Sequence, residues 1–128
     1  MGKFQELKVW QRAKNLAVYI YKITAKGEFS KDFGLKDQLR KAAVSVPSNI
    51  AEGDELDTDK QSVRHFYIAK GSAAEVLTQS IIASEIGYLA DDEFKHIESE
   101  CRAISGMLGR LIQARTKQIQ AQGIRCKA

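Results

Sequence analysis

The stretch Lys8-Val-Trp-Gln-Arg-Ala-Lys-Asn-Leu-Ala-Val-Tyr-Ile-Tyr-Lys-Ile-Thr24 decides the fold class. Within it Val9, Ala13, Leu16, Ala17, Ile20 and Ile23 recur at three- and four-residue spacing. That is the period of one face of an α-helix, not of a strand. The pattern predicts a helix over residues 5–24, stopped at Lys26-Gly27. Trp10 and Tyr21 widen its apolar arc beyond the roughly 100° that a bundle helix buries. The other side carries Lys8, Arg12, Asn15, Tyr19, Lys22 and Lys26, a basic stripe in which Tyr19 is expected as an ordinary exposed tyrosine, with stacking on an unpaired base as the alternative.

The same period recurs outward from this segment. A second helix is predicted from Ser30, as N-cap with Asp32 in the first turn, through Leu35, Leu39, Ala42, Ala43, Val46, Ile50 and Ala51 towards Gly53. Pro47 lies inside it and predicts a kink, because it lacks a donor and crowds the carbonyl of Ala43. Thr58-Asp-Lys-Gln61 reads as a capping box. The third helix it opens should reach about Tyr88, with Val63, Phe66, Tyr67, Lys70, Ala73, Ala74, Leu77, Ile81 and Ser84 along its core stripe. Gly71 costs that helix about 1 kcal/mol against Ala, which predicts a neighbouring helix in need of the space. Asp91 or Asp92 caps a fourth helix lined by Phe94, Ile97, Cys101, Ile104, Leu108, Leu111 and Ile112. Arg102, Arg110, Gln113 and Lys117 lie opposite, while Arg115 falls on the apolar stripe and marks the end of the core near Ala114.

Long helices with short turns predict an all-α, antiparallel up-and-down four-helix bundle over residues 1–117, followed by a frayed or disordered C-terminal tail over 118–128. A single proline in 128 residues agrees, since breakers are what short elements need.

Cys101 is expected as a buried apolar filler and Cys126 as an exposed tail thiol, with no disulfide or metal spacing. No charged-then-apolar leader and no run near the roughly 18 apolar residues of a membrane span occur, so a soluble cytoplasmic protein with no membrane partner is expected. The net charge of +4 is segregated: +6 over residues 1–41, −8 over 52–100 and +6 over 101–128. Such asymmetry marks either a nucleic-acid or acidic-partner surface, or helices of opposite charge that pair within or between subunits.

No catalytic constellation is present, so no enzyme is expected. A di-iron bundle needs two Glu-x-x-His units, but only Glu93-Phe-Lys-His96 occurs and His65 has no Glu three residues before it. Gly106-Met-Leu-Gly109 lies inside a helix, where small residues serve packing. Neither a metal nor another cofactor is expected. Gln38, Arg40, Asn49, Glu52 and Glu75 fall within the helical core pattern and are expected as a satisfied polar network that sets helix register. In it Arg40 would pair with Glu52 or Glu75, since a lone buried charge is costly.

Five ordered blocks carry a resemblance: Leu7-Lys-Val-Trp-Gln-Arg-Ala13, Phe33-Gly-Leu-Lys-Asp-Gln-Leu-Arg-Lys-Ala-Ala43, Ser45-Val-Pro-Ser-Asn-Ile-Ala-Glu-Gly53, Ala69-Lys-Gly-Ser-Ala-Ala-Glu75 and Gly87-Tyr-Leu89. Over residues 4–115 the chain resembles the bacterial four-helix-bundle family of 23S rRNA intervening-sequence proteins, with Lys41 where that pattern leads one to expect Arg. The resemblance implies a bundle that assembles into a ring, a homopentamer. It extends to the accessory variability determinant of diversity-generating retroelements, a branch associated with nucleic acid and a reverse transcriptase. Within such a ring Trp10 and Tyr21 are expected at the subunit interface.

Two functions from different classes follow. One is a non-enzymatic, homo-oligomeric accessory protein that binds RNA or DNA through Lys8, Arg12, Lys22, Lys26, Arg102, Arg110 and Lys117. The other is a protein–protein adaptor or assembly scaffold with no nucleic-acid role, for which the acidic middle segment would dock a basic partner protein.

Overall fold

The computed structural model of the chain describes residues 3–56 and 58–127, with side chains through residue 123 in the last helix. Four helices, α1 (Lys8–Thr24), α2 (Phe33–Glu55), α3 (Asp59–Glu85) and α4 (Asp91–Lys127), follow one another, with 3-10 turns at Phe4–Glu6 and Glu28–Lys31. No strand occurs among the described residues. α1 and α3 each pack on both α2 and α4, so they occupy opposite corners of an antiparallel bundle.

The faces read for α1 and α4 are the buried ones. Val9, Ala13, Leu16, Ala17, Ile20 and Ile23 enter the core from α1, and Ile97, Cys101, Ile104, Leu108 and Ile112 from α4. α2 contributes Leu39, Ala42, Ala43, Val46, Pro47 and Ile50, and the helix is continuous through Pro47.

α3 differs from expectation. Its buried face is Ser62, Phe66, Ala69, Ser72, Ala73, Val76, Ser80 and Ala83. Tyr67 and Ile81, expected in the core, are exposed along with Ile68, Ile82 and Ile86. The reason is spatial: α3 lies between α2 and α4, and small residues let both helices approach. Gly71 faces open space, so no helix of this chain uses its missing side chain. Gly106 and Gly109, expected to serve helix packing, likewise meet nothing closer than 3.7 Å. The glycine that packing does require is Gly53, where an added Cβ would lie 2.6 Å from the Phe66 ring.

The helix ends are set by specific bonds. Asp32, rather than Ser30, caps α2: its Oδ1 accepts from Leu35 N at 3.1 Å. Its Oδ2 accepts from the Tyr88 hydroxyl at 3.0 Å, a bond that raises the tyrosine pKa by favouring the protonated phenol. Tyr88 in turn packs on buried Phe29 at 5.2 Å, which ties the α1–α2 and α3–α4 turns together. Thr58 Oγ1 accepts from Gln61 N at 3.3 Å, the N-cap half of the expected capping box. At α4 it is Glu93, not Asp91 or Asp92, that reaches back to accept from Ala90 N at 2.9 Å. Gly27 and Gly87 take φ of 64° and 85° at two turns, a region costly for other residues.

The last core residue of α4 is Ile112, yet the helix does not end there. Arg115 leaves the apolar stripe to bind Asp59 at 3.3 Å and Asp54 at 4.0 Å, with its guanidinium over the Phe66 ring. Helix α4 then runs on to Lys127 through the segment expected to fray. Ala128 and the Cys126 thiol lie outside the described residues and side chains.

Two outcomes are expected. Gly53→Ala should destabilise the fold by about 1–3 kcal/mol through overpacking against Phe66, measured by urea unfolding, whereas Gly71→Ala should cost the protomer nothing. Burial, aided by Glu100, pushes the Cys101 thiol up from 9.0 to about 12. The thiol therefore contributes stability below about pH 9 that is lost as pH rises towards its folded value. Between about pH 8 and pH 10.5 the native protein should lose more unfolding free energy than Cys101→Ala. Equal losses would show that Cys101 is not linked to folding.

Candidate nucleic-acid interface

Side by side and antiparallel, α1 and α4 bring the start of one against the C-terminal half of the other. There Lys8 and Arg110 flank a single groove of about 370 Å³ whose wall includes Leu7, Val9, Met107 and Leu111. An apolar wall of this kind packs the aliphatic stems and leaves the charged ends at the water. Lys117 follows Arg110 by seven residues on the same side of α4, about 10 Å along the axis. None of these three cations has an ion-pair partner among the described residues.

The other four predicted contacts are placed differently. Arg12 Nε and Nη2 donate to the Glu100 carboxylate at 3.1 to 3.2 Å, and that hydrogen bond, with the charge of Glu100, raises the Arg12 pKa. Lys26 lies 3.9 Å from Glu93. Arg102 Nη2 lies 3.4 Å from Glu98 and faces α3, lining a groove with Ala73 and Leu77. Lys22 lines the groove between α1 and α2. Tyr19, expected as an exposed tyrosine, is half-buried with its ring 4.6 Å from His96. Burial, followed by the charges of Glu93 and Asp92, raises its pKa.

Of the two residues expected at a subunit interface, Trp10 is half-buried with its ring edge-on to Phe4 of the same chain at 5.2 Å. Tyr21 is exposed under the guanidinium of Arg40.

The polar network divides. Arg40 does not pair with Glu52 or Glu75, because it leaves α2 on the α1 side: Nε donates to Thr24 Oγ1 at 2.9 Å and Nη2 to Tyr21 O at 3.1 Å. On the α3 side Asn49 is the hub. Its Nδ2 donates to Ser45 O and Oγ at 2.9 and 3.0 Å, and Ser45 shares a 2.8 Å hydrogen bond with Ser72. Its Oδ1 accepts from His65 Nδ1 at 3.0 Å, and Glu52 lies 3.2 Å from that same nitrogen. Gln38 and Glu75 are exposed and line a groove beside Ser45 and Ser72. Sequence reasoning missed Ser45, Ser72 and His65; the available signal was a set of polar residues at helical spacing on facing helices. No group of three or more metal-ligating side chains occurs among the described residues.

The five sequence blocks fall on the elements that build this arrangement, from the Lys8 end of α1 to the Asn49 hub and the small-residue face of α3. The model of the 23S rRNA-intervening sequence protein family matches residues 5–110. The chain belongs to that family. Its fold is similar to the crystal structure, at 1.70 Å, of a protein of unknown function from the S23 ribosomal protein family of Bacteroides thetaiotaomicron. The TM-score is 0.75 at 20% identity, over 81% of this chain and 97% of that one. No curated protein matches the chain.

The Asn49 hub generates a stability prediction. Asn49→Ala leaves the His65 and Ser45 groups short of a partner and should cost about 1–3 kcal/mol in chemical denaturation. Exposed Gln38→Ala should change little, within about 0.5 kcal/mol.

Proposed function

We propose that this family member is a non-enzymatic, homo-oligomeric accessory protein that binds RNA or DNA through the α1–α4 seam. The observation that carries the reading is the convergence of Lys8 and Arg110 on one groove, with Lys117 beyond them and no ion-pair partner for any of the three among the described residues. Phosphate oxygens are the natural partners of unpaired cations held on an apolar wall. Arg12, one turn from Lys8, extends the seam; its exposed pair with Glu100 contributes little stability and can be exchanged for phosphate. Contacts of this kind position a backbone and carry little sequence preference. Repetition in a homo-oligomer, a pentamer on the family resemblance, multiplies them through effective concentration. Cytoplasmic location accompanies this reading. Among the described residues no helix is long and apolar enough to cross a membrane.

The adaptor reading stands second, favoured by the exposed apolar residues of α3. Fluorescence anisotropy with labelled single- and double-stranded RNA and DNA separates the two. For each protomer engaged, three phosphate contacts predict about a 40-fold loss of duplex affinity between roughly 50 and 200 mM salt. Lys8→Glu with Arg110→Glu and Lys117→Glu should abolish binding with helicity intact, and Arg102→Glu should have a smaller effect. Absence of binding at low salt in the native protein would leave the adaptor reading.

A further inference from the structure

The seam between α2 and α3, on the side of the bundle opposite the α1–α4 seam, holds a polar groove that the proposed function does not use. Its volume is about 310 Å³, at the small end of the range for ligand pockets. Because the two helices run antiparallel, the lining residues meet in layers one turn apart. Ser45 lies beside Ser72, Lys41 is level with Glu75, and Gln38 is level with Gln79.

Each layer is short of a partner. The Asn49 amide donates to Ser45 Oγ at 3.0 Å, and Ser45 and Ser72 share one hydrogen bond of 2.8 Å. Two hydroxyls carry two hydrogens, that bond uses one, and no further acceptor for either hydroxyl lies among the described residues. One O–H is therefore left to donate at the groove, and the Ser72 side of the pair is only 6% exposed. In the next layer Lys41 and Glu75 line the groove together, yet neither has an ion-pair partner among the described residues. In the last layer Gln79 Oε1 is buried with no donor. A buried polar atom without a partner is costly and calls for an explanation.

We propose that this groove binds a free α-amino acid as its zwitterion, with a side chain that ends in an amide or a hydroxyl. The unmet groups divide by sign. Lys41 and the spare serine hydrogen are donors and receive the carboxylate. Glu75 and Gln79 Oε1 are acceptors and receive the ammonium. Charge-assisted hydrogen bonds of this kind are about twice as strong as neutral ones. The Gln38 amide, beyond them, meets the side chain with donors and an acceptor of its own. The same division disfavours simpler ligands. A phosphate or plain carboxylate would set its charge against Glu75, and a plain amine would set its charge against Lys41. An apolar molecule would leave Gln79 Oε1 and the serine hydrogen unpaired. The groove shares no residue with the α1–α4 seam, so the site stands independently of nucleic-acid binding.

The test is a titration of the isotope-labelled full chain with L-glutamine and with L-serine, read by backbone amide chemical shifts. At least one of them should give saturable shifts centred on Ser45, Ser72 and Gln79, with a Kd of about 1 mM or below. Blocking either charge of that ligand should weaken binding about tenfold: its N-acetyl form lacks the ammonium and its amide form lacks the carboxylate. Lys41→Met and Glu75→Gln, both at exposed positions, should each weaken binding about tenfold with helicity unchanged. Lys22→Met, on another face, should bind as the native chain does. No saturable shift with either amino acid, or shifts centred on another face, would overturn the site. Equal binding of the blocked forms, or binding unaffected by Lys41→Met and Glu75→Gln, would overturn it as well.

Discussion

Helix α3 must touch two neighbours at once, and the narrowness of its inner face is what allows it. Ala69, Ser72, Ala73, Ser80 and Ala83 are small enough for α2 and α4 both to close on it, while Phe66 fills the wider end of the space against Gly53. The serines on that face carry hydroxyls into the core. Ser62 Oγ donates to Gly53 O at 2.6 Å, and Ser72 shares its bond with Ser45. These bonds offset the desolvation of a polar group in a tight seam. A core of bulkier residues would hold the helices further apart and leave Asn49, Ser45 and His65 unable to span the gap.

The same constraint turns bulky side chains outward. With small residues committed inward, Tyr67, Ile68, Ile81, Ile82 and Ile86 have only the solvent side of α3 left to them. The groove between α1 and α2 arises from a related compromise. Pro47 and Ala17 are small or compact where the two helices face each other, and Val18, Tyr21 and Val44 stand along the resulting channel.

Charge is distributed with equal economy. Much of the acidic middle segment is engaged within the chain: Glu93, Glu98 and Glu100 face Lys26, Arg102 and Arg12, while Asp54 and Asp59 hold Arg115. Among the cations without an ion-pair partner in the described residues, Lys8 and Arg110 meet at one end of the α1–α4 seam. That seam and the α1–α2 groove lie on different sides of α1.

The periodic apolar residues of α1 and α4 determined the helical class and the buried faces of those two helices, because each offers a single stripe wide enough to bury. The scarcity of breakers determined that the elements are long, and the cap at Thr58 was legible from its spacing. On α3 two stripes compete, one small and one large, and spacing cannot rank them. Only the distances to α2 and α4 decide, and those chose the small one. Arg12 and Lys8 look alike along the chain; the tertiary structure separates them by placing Glu100 beside one and Arg110 beside the other. Arg40 turned from Glu52 to Thr24 for the same reason. A side chain's charge and apolarity are local properties, whereas its partner depends on which helix lies next to it, and that is settled only when the bundle closes.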